Sequence, residues 1–105
     1  MTKVAIVGAG FIGRAWAISF ARAGHEVALW DAQAAAPGAA LSYIEGILPD
    51  LAANDLLNGA SPVEVRGRMH AAATLEEVLA GATHVQENTP ENVEMKRDIF
   101  GRLDA

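Results

Sequence analysis

Short apolar runs alternate along this chain with stretches of helical spacing, and the alternation predicts the architecture. Lys3 to Val7 carries a continuous apolar run, as a strand buried on both faces requires. From Phe11 to Ala23, the positions Ile12, Ala15, Trp16, Ser19, Phe20 and Ala23 fall on one helical face. Gly24 is placed to end that helix as its left-handed C′ residue, and a second strand follows from Glu26 to Asp31. Residues 33–58 keep a helical pattern interrupted at Pro37-Gly38 and Pro49, which predicts a broken helix: Ala39 to Leu48, then Asp50 to Leu57, closed by Asn58-Gly59.

The remainder is shorter-grained. Ser61 to Arg68 reads as a turn with an extended piece around Val63 to Val65, and Met69 to Ala73 as a third, alanine-rich strand. Thr74-Leu75-Glu76-Glu77 is a capping-box pattern that opens a short helix to Leu79. A fourth strand is expected from Thr83 to Gln86 or Glu87, and Thr89-Pro90-Glu91 marks a last helix start. Strands alternating with helices imply an α/β, Rossmann-type doubly wound parallel sheet of order 3-2-1-4. About four strands are visible where the complete fold has six, so the sheet is expected to be incomplete on its C-terminal side. Residues 1–105 then read as the N-terminal part of a longer enzyme.

Composition narrows the class. A net charge of −5 argues against a nucleic-acid surface, and the absence of cysteine rules out disulfide and thiol chemistry. No apolar run approaches the roughly 20 residues that span a membrane, and the first strand begins too early to follow a signal peptide. A cytoplasmic protein is expected. No Cys/His cluster or acidic loop suggests a metal.

The junction between the first strand and first helix carries the chemistry. Gly8-Ala9-Gly10-Phe11-Ile12-Gly13 is a GxGxxG turn in strand–turn–helix–strand context, and Asp31 ends the second strand 18 residues past Gly13. Gly8 permits the tight turn, Gly10 lets backbone approach a diphosphate, and Gly13 lets the helix pack on the sheet. Phe11 and Ile12 are expected to offer backbone N–H groups, with their side chains turned to the protein. Asp31 is expected to accept from the adenine-ribose hydroxyls and to repel a 2′-phosphate. With Ala32 and Gln33 following in place of an Arg, the pattern favours NAD over NADP.

These residues resemble a known family. Val4 to Asp31 and His84 to Leu103 are similar to the NAD-binding domain of 3-hydroxyacyl-CoA dehydrogenases. Gly13-Arg14-Ala15-Trp16-Ala17 and Gln86-Glu87-Asn88-Thr89-Pro90-Glu91 are most similar to the lambda-crystallin/L-gulonate 3-dehydrogenase branch, with carnitine dehydrogenases as near neighbours. The resemblance is weak from Ala32 to Arg68. It implies cofactor roles for Glu91 and Lys96 near the nicotinamide. It also implies hydride transfer between NAD and a 3-hydroxy group of an acyl-CoA, a sugar acid or carnitine, as in fatty acid metabolism. A homodimer built through a C-terminal helical domain is implied as well. The family's catalytic His and Glu belong downstream of this region, so no catalytic residue is assigned; His25, His70 and His84 match none of its positions.

Two other readings stand beside this one. An FAD-binding domain of a monooxygenase also begins with GxGxxG, although Asp31 in place of Glu and the acid–Lys segment count against it. A non-catalytic, crystallin-like protein can use the same fold. Trp16 and Trp30 are expected as anchors in or at the edge of the core. Arg14 either reaches a phosphate or faces solvent. Arg66 and Arg68 beside His70 form either an anion site or a solvated loop.

Overall fold

The computed structural model describes residues 2–88. β1 (Lys3–Val7), β2 (Glu26–Trp30), β3 (Met69–Ala71) and β4 (His84–Glu87) form one sheet in the order β3-β2-β1-β4. Every pairing is parallel. The expected order therefore holds, and β1 lies between β2 and β4. The chain leaves β1 toward β2 and later returns to the other side of β1 as β4. The carboxyl ends of β1 and β4 thus form a topological switch point, the place where open α/β sheets bind ligands. Val7, Trp30 and Glu87 stand level there in the register.

The strand period of two divides the core between the faces. Val4, Ile6, Val27 and Leu29 point to one face and pack with residues of α1 (Phe11–Arg22), α2 (Ala36–Ala53) and α3 (Pro62–Gly67). Ala5, Val7 and Ala28 point to the other, against Leu75 and Val78 of α4 (Leu75–Leu79). Lys3 fastens the end of α4 by donating from Nζ to the carbonyls of Ala80 and Glu77, at 2.7 and 3.1 Å.

α1 turns a different face to the sheet from the one its large side chains suggest. The buried positions are Gly13, Ala17 and Ala21, so small residues bring the helix close to the strands. Much of the expected stripe lies outside: Ile12 is 65% exposed, and Trp16, 40% exposed, stacks on Phe20, which is half-buried against the first core cluster. Trp16 is not the core anchor expected, whereas Trp30 does pack at the edge of the second core cluster. Gly24 closes the helix with φ +100°, as expected.

Four local expectations are corrected. The broken helix is one continuous helix of 18 residues, α2. Pro37 sits in its first turn, where the missing N–H has no intrahelical role. Pro49 lies on its exposed side, while Ala40, Leu41, Ile44 and Leu48 keep one buried stripe. Burying three such large side chains, at about 1.5–3 kcal/mol each, outweighs the roughly 3 kcal/mol that an interior proline costs. Val63 to Val65 is helical: Ser61 accepts from the Glu64 N–H and Glu64 reaches back to Ser61, a complete capping box with Pro62 in the first turn. β3 stops at Ala71 instead of Ala73. The Thr74 cap is made, but Glu77 accepts from the Ala73 N–H, one residue earlier than a standard box.

The closest approach of helix to sheet is at Gly13. A Cβ there would lie 2.0 Å from the Gly8 carbonyl oxygen and 3.3 Å from Ile6 Cγ2. The Gly8 carbonyl is backbone and cannot step aside without moving the end of β1. Gly13→Ala is therefore expected to destabilise the fold by about 1–3 kcal/mol, despite the better helix propensity of Ala. A urea denaturation midpoint equal to that of the parent chain would contradict this packing.

Candidate functional site

The glycine turn stands at the carboxyl end of β1. Gly8 has φ +100° and donates its N–H to the Trp30 carbonyl at 2.8 Å, tying the turn to the end of β2. Gly10 is the N-cap of α1 and its carbonyl accepts the first helical bond, from Arg14 N–H at 2.9 Å. Gly10 brings no side-chain cap. Helical geometry leaves the N–H groups of Phe11, Ile12 and Gly13 without intrahelical acceptors, and the helix dipole adds positive potential at the same place.

Asp31 lies directly across the turn. Its Oδ2 accepts from the Ala9 N–H at 2.8 Å and its Oδ1 from the Gln33 N–H at 2.8 Å. Each carboxylate oxygen has a second acceptor position. Asp31 is partly buried, so that remaining capacity opens beside the helix end. The structure therefore brings Gly8, Gly10, Phe11, Ile12, Gly13 and Asp31 together at one end of the sheet. A carboxylate next to a row of forward-pointing N–H groups can grip a sugar diol and a diphosphate at once.

The side chains of Phe11 and Ile12 depart from expectation: they are 74% and 65% exposed and do not turn into the protein. Phe11 meets Tyr43 of α2 edge-on, with ring centroids 5.7 Å apart. Arg14 does not stand free in solvent. Its Nε donates to the Ala9 carbonyl at 3.2 Å, and its guanidinium lies over the rings of Phe11 and Tyr43 at 5.1 and 4.9 Å. Sequence reasoning had no signal for Tyr43, which reaches this site from α2, where the resemblance is weakest.

Glu91 and Lys96 lie outside the described residues. The strand that leads to them is in place, because Asn88 donates to the Val7 carbonyl at 2.8 Å and so continues the β4 register on β1. Arg66 and Arg68 form neither an anion site nor a solvated loop. Arg66 bonds Glu45 Oε1 at 2.7 Å and the Met69 carbonyl, while Arg68 bonds the Ala21 carbonyl at the end of α1. His84 rests its ring near Phe20, as does His25. Among the described residues no group of three or more His, Asp or Glu is placed to hold a metal ion, and no helix is long and apolar enough to cross a membrane.

Residues 3–105 match the family model of the 3-hydroxyacyl-CoA dehydrogenase NAD binding domain. The chain belongs to that family. The dinucleotide of this domain is NAD, and the match supports the nicotinamide reading over the flavin one. L-carnitine dehydrogenase of Streptomyces coelicolor is 40% identical across 98% of this chain and 31% of its own length. Lambda-crystallin of Oryctolagus cuniculus is 37% identical across 97% of this chain and 32% of its own length. The crystal structure of (S)-3-hydroxybutyryl-CoA dehydrogenase from Ralstonia eutropha superposes with a TM-score of 0.79 at 26% identity, over 99% of this chain and 36% of that one. The NAD-binding domain described here thus spans about a third of the length of the relatives it matches.

Gly10 provides a direct test of whether the turn fits a diphosphate. A Cβ on Gly10 would meet no protein atom within 4 Å, and its φ of −74° is open to any residue. The fold does not need glycine there, whereas a ligand lying on the turn would. Gly10→Ala should cost less than about 1 kcal/mol of stability yet weaken NADH binding at least about tenfold through contact with the diphosphate. Unchanged affinity by fluorescence titration would place the ligand elsewhere.

Proposed function

We propose that this NAD-binding domain serves an oxidoreductase that passes a hydride between NAD and the 3-hydroxy carbon of a small molecule. The observation that carries the proposal is the pairing of the open N-terminus of α1 with the Asp31 carboxylate across an unobstructed Gly10. In this reading the N–H groups of Phe11 and Ile12 hold the diphosphate, Gly8 and Gly13 set the turn, and Asp31 accepts from the adenine-ribose hydroxyls. Bound NAD supplies a hydride acceptor at its nicotinamide. Glu91 and Lys96 are assigned to the nicotinamide side. In the sequence Glu91 comes four residues after Glu87, the last residue of β4, whose carboxyl end lies at the switch point.

The substrate class follows from the relatives. An L-carnitine dehydrogenase and a 3-hydroxybutyryl-CoA dehydrogenase are both named for 3-hydroxy compounds. The substrate is accordingly assigned as a small 3-hydroxy compound, and the chemistry on it is assigned to the whole enzyme.

NADH fluorescence titration tests the site. The parent chain is expected to bind NADH in preference to NADPH. Asp31→Ala should weaken NADH about 10- to 100-fold, the loss of charge-assisted hydrogen bonds, and narrow the gap to NADPH. A chain that purifies yellow with flavin, or an Asp31→Ala variant that binds NADH like the parent, would sink the proposal.

A further inference from the structure

Ala9 is the only residue with a side chain between Gly8 and Gly10, and both of its backbone groups are held by side chains from elsewhere. Asp31 takes the N–H at 2.8 Å and Arg14 Nε donates to the carbonyl at 3.2 Å. A turn flanked by glycines has many conformations open to it. Two opposed hydrogen bonds at its centre select one.

Arg14 is itself restrained. An arginine on the first turn of a helix normally keeps most of its rotamer freedom. Here the guanidinium sits at 5.1 Å from the Phe11 ring centre and 4.9 Å from that of Tyr43, and the two rings touch edge-on at 81°. The planar guanidinium suits both demands at once, stacking on aromatic faces while Nε donates sideways. Tyr43 belongs to α2, whose Ala40, Leu41 and Ile44 are anchored in the core on either side of it. A rigid element thus reaches the glycine turn through one side chain.

Building on the dinucleotide reading above, we propose that Arg14 and Tyr43 are positioning residues for the cofactor. Arg14 fixes the Gly8–Gly10 turn so that the N–H groups of Phe11 and Ile12 face the diphosphate. Tyr43 holds Arg14 there. α2 thereby sets NAD affinity without touching NAD, because a turn already in its bound shape loses less freedom on binding. This gives the 33–59 segment a role in the cofactor site.

The test is NADH affinity by fluorescence titration on the full chain, with thermal unfolding measured in parallel. Arg14→Lys keeps the charge and removes the Nε donor and the planar stack; it should weaken NADH about tenfold, the size of one charge-assisted hydrogen bond. Tyr43→Ala should weaken NADH about three- to tenfold, and Tyr43→Phe, which keeps the ring, should stay within about twofold of the parent. The Arg14→Lys/Tyr43→Ala double variant should be no weaker than Arg14→Lys alone, since both act through one contact. A purely structural role would lower the unfolding temperature and leave the affinity of the folded chain unchanged. Arg14→Lys and Tyr43→Ala both within twofold of the parent, with Asp31→Ala still defective, would overturn the positioning role alone. A parent chain that fails to bind NADH would overturn the site and the positioning role together.

Discussion

The contact between the backbone of Gly13 and the carbonyl of Gly8 is the constraint on which the rest of this structure depends. It lets α1 lie on β1 with no side chain between them, at a distance where even a methyl group would collide. Ala17 and Ala21 continue the same close approach further along the helix, both fully buried. A helix set this near the sheet brings its N-terminus directly over the carboxyl end of β1. The turn from strand to helix is then short and tight, which is why Gly8 needs φ +100°. The unsatisfied N–H groups of the first helical turn emerge at the one point where the sheet reverses its order. Close packing and the exposure of those N–H groups at the end of β1 are two consequences of the same glycine.

That geometry also explains why Phe11, Ile12 and Trp16 of α1 are outside, while Phe20 is only half-buried against the core. A helix that buries glycine and alanine must turn its larger residues away from the sheet. Phe11 and Ile12 therefore stand beside the glycine turn, and Trp16 and Phe20 stack further down toward His84 on β4. Phe11 is used: with Tyr43 it encloses Arg14. The polar residues that look like an anion site in the sequence, Arg66 and Arg68, are spent on carbonyls and carboxylates that fasten α3 to its neighbours.

How far the sequence could be read depended on how local each cause is. β1, β2 and β4, the turn between β1 and α1, and the Gly24 stop all follow from residues within a few positions of each other, and they appear where expected. The pairing of Asp31 with the glycine turn follows from a spacing and from general strand–helix geometry. The failures arose where a distant partner decides. Pro49 breaks a helix by local rules, yet α2 continues because its stripe from Ala40 to Leu48 is buried against other elements. Which face of α1 is buried is set by the depth of the sheet beneath it, and the sizes of its side chains point the wrong way. α3 is a different case. Ser61-Pro62-Val63-Glu64 carries the same capping signature as Thr74 to Glu77, so the start of this helix is legible from local residues alone. Tyr43 and the Arg14–Ala9 bond had no local signal at all.

The environment of Asp31 bears on cofactor choice more strongly than its presence alone. A surface carboxylate can rotate away from an incoming phosphate at the cost of a little side-chain entropy. Asp31 cannot do so freely, because one oxygen holds the Ala9 N–H and the other the Gln33 N–H. Swinging the carboxylate aside would leave both amides without an acceptor and would release the glycine turn. The negative charge is thus held beside the glycine turn, the place proposed for the adenine ribose, by the same bonds that shape the turn. If Asp31 meets the ribose as proposed, discrimination against a 2′-phosphate and the conformation of the turn are coupled, and an added arginine nearby would neutralise the charge without removing the obstruction. On the proposed reading, losing the carboxylate relaxes selectivity but also releases the turn, so a residue at position 31 that keeps an acceptor for Ala9 while giving up the charge would separate the two effects.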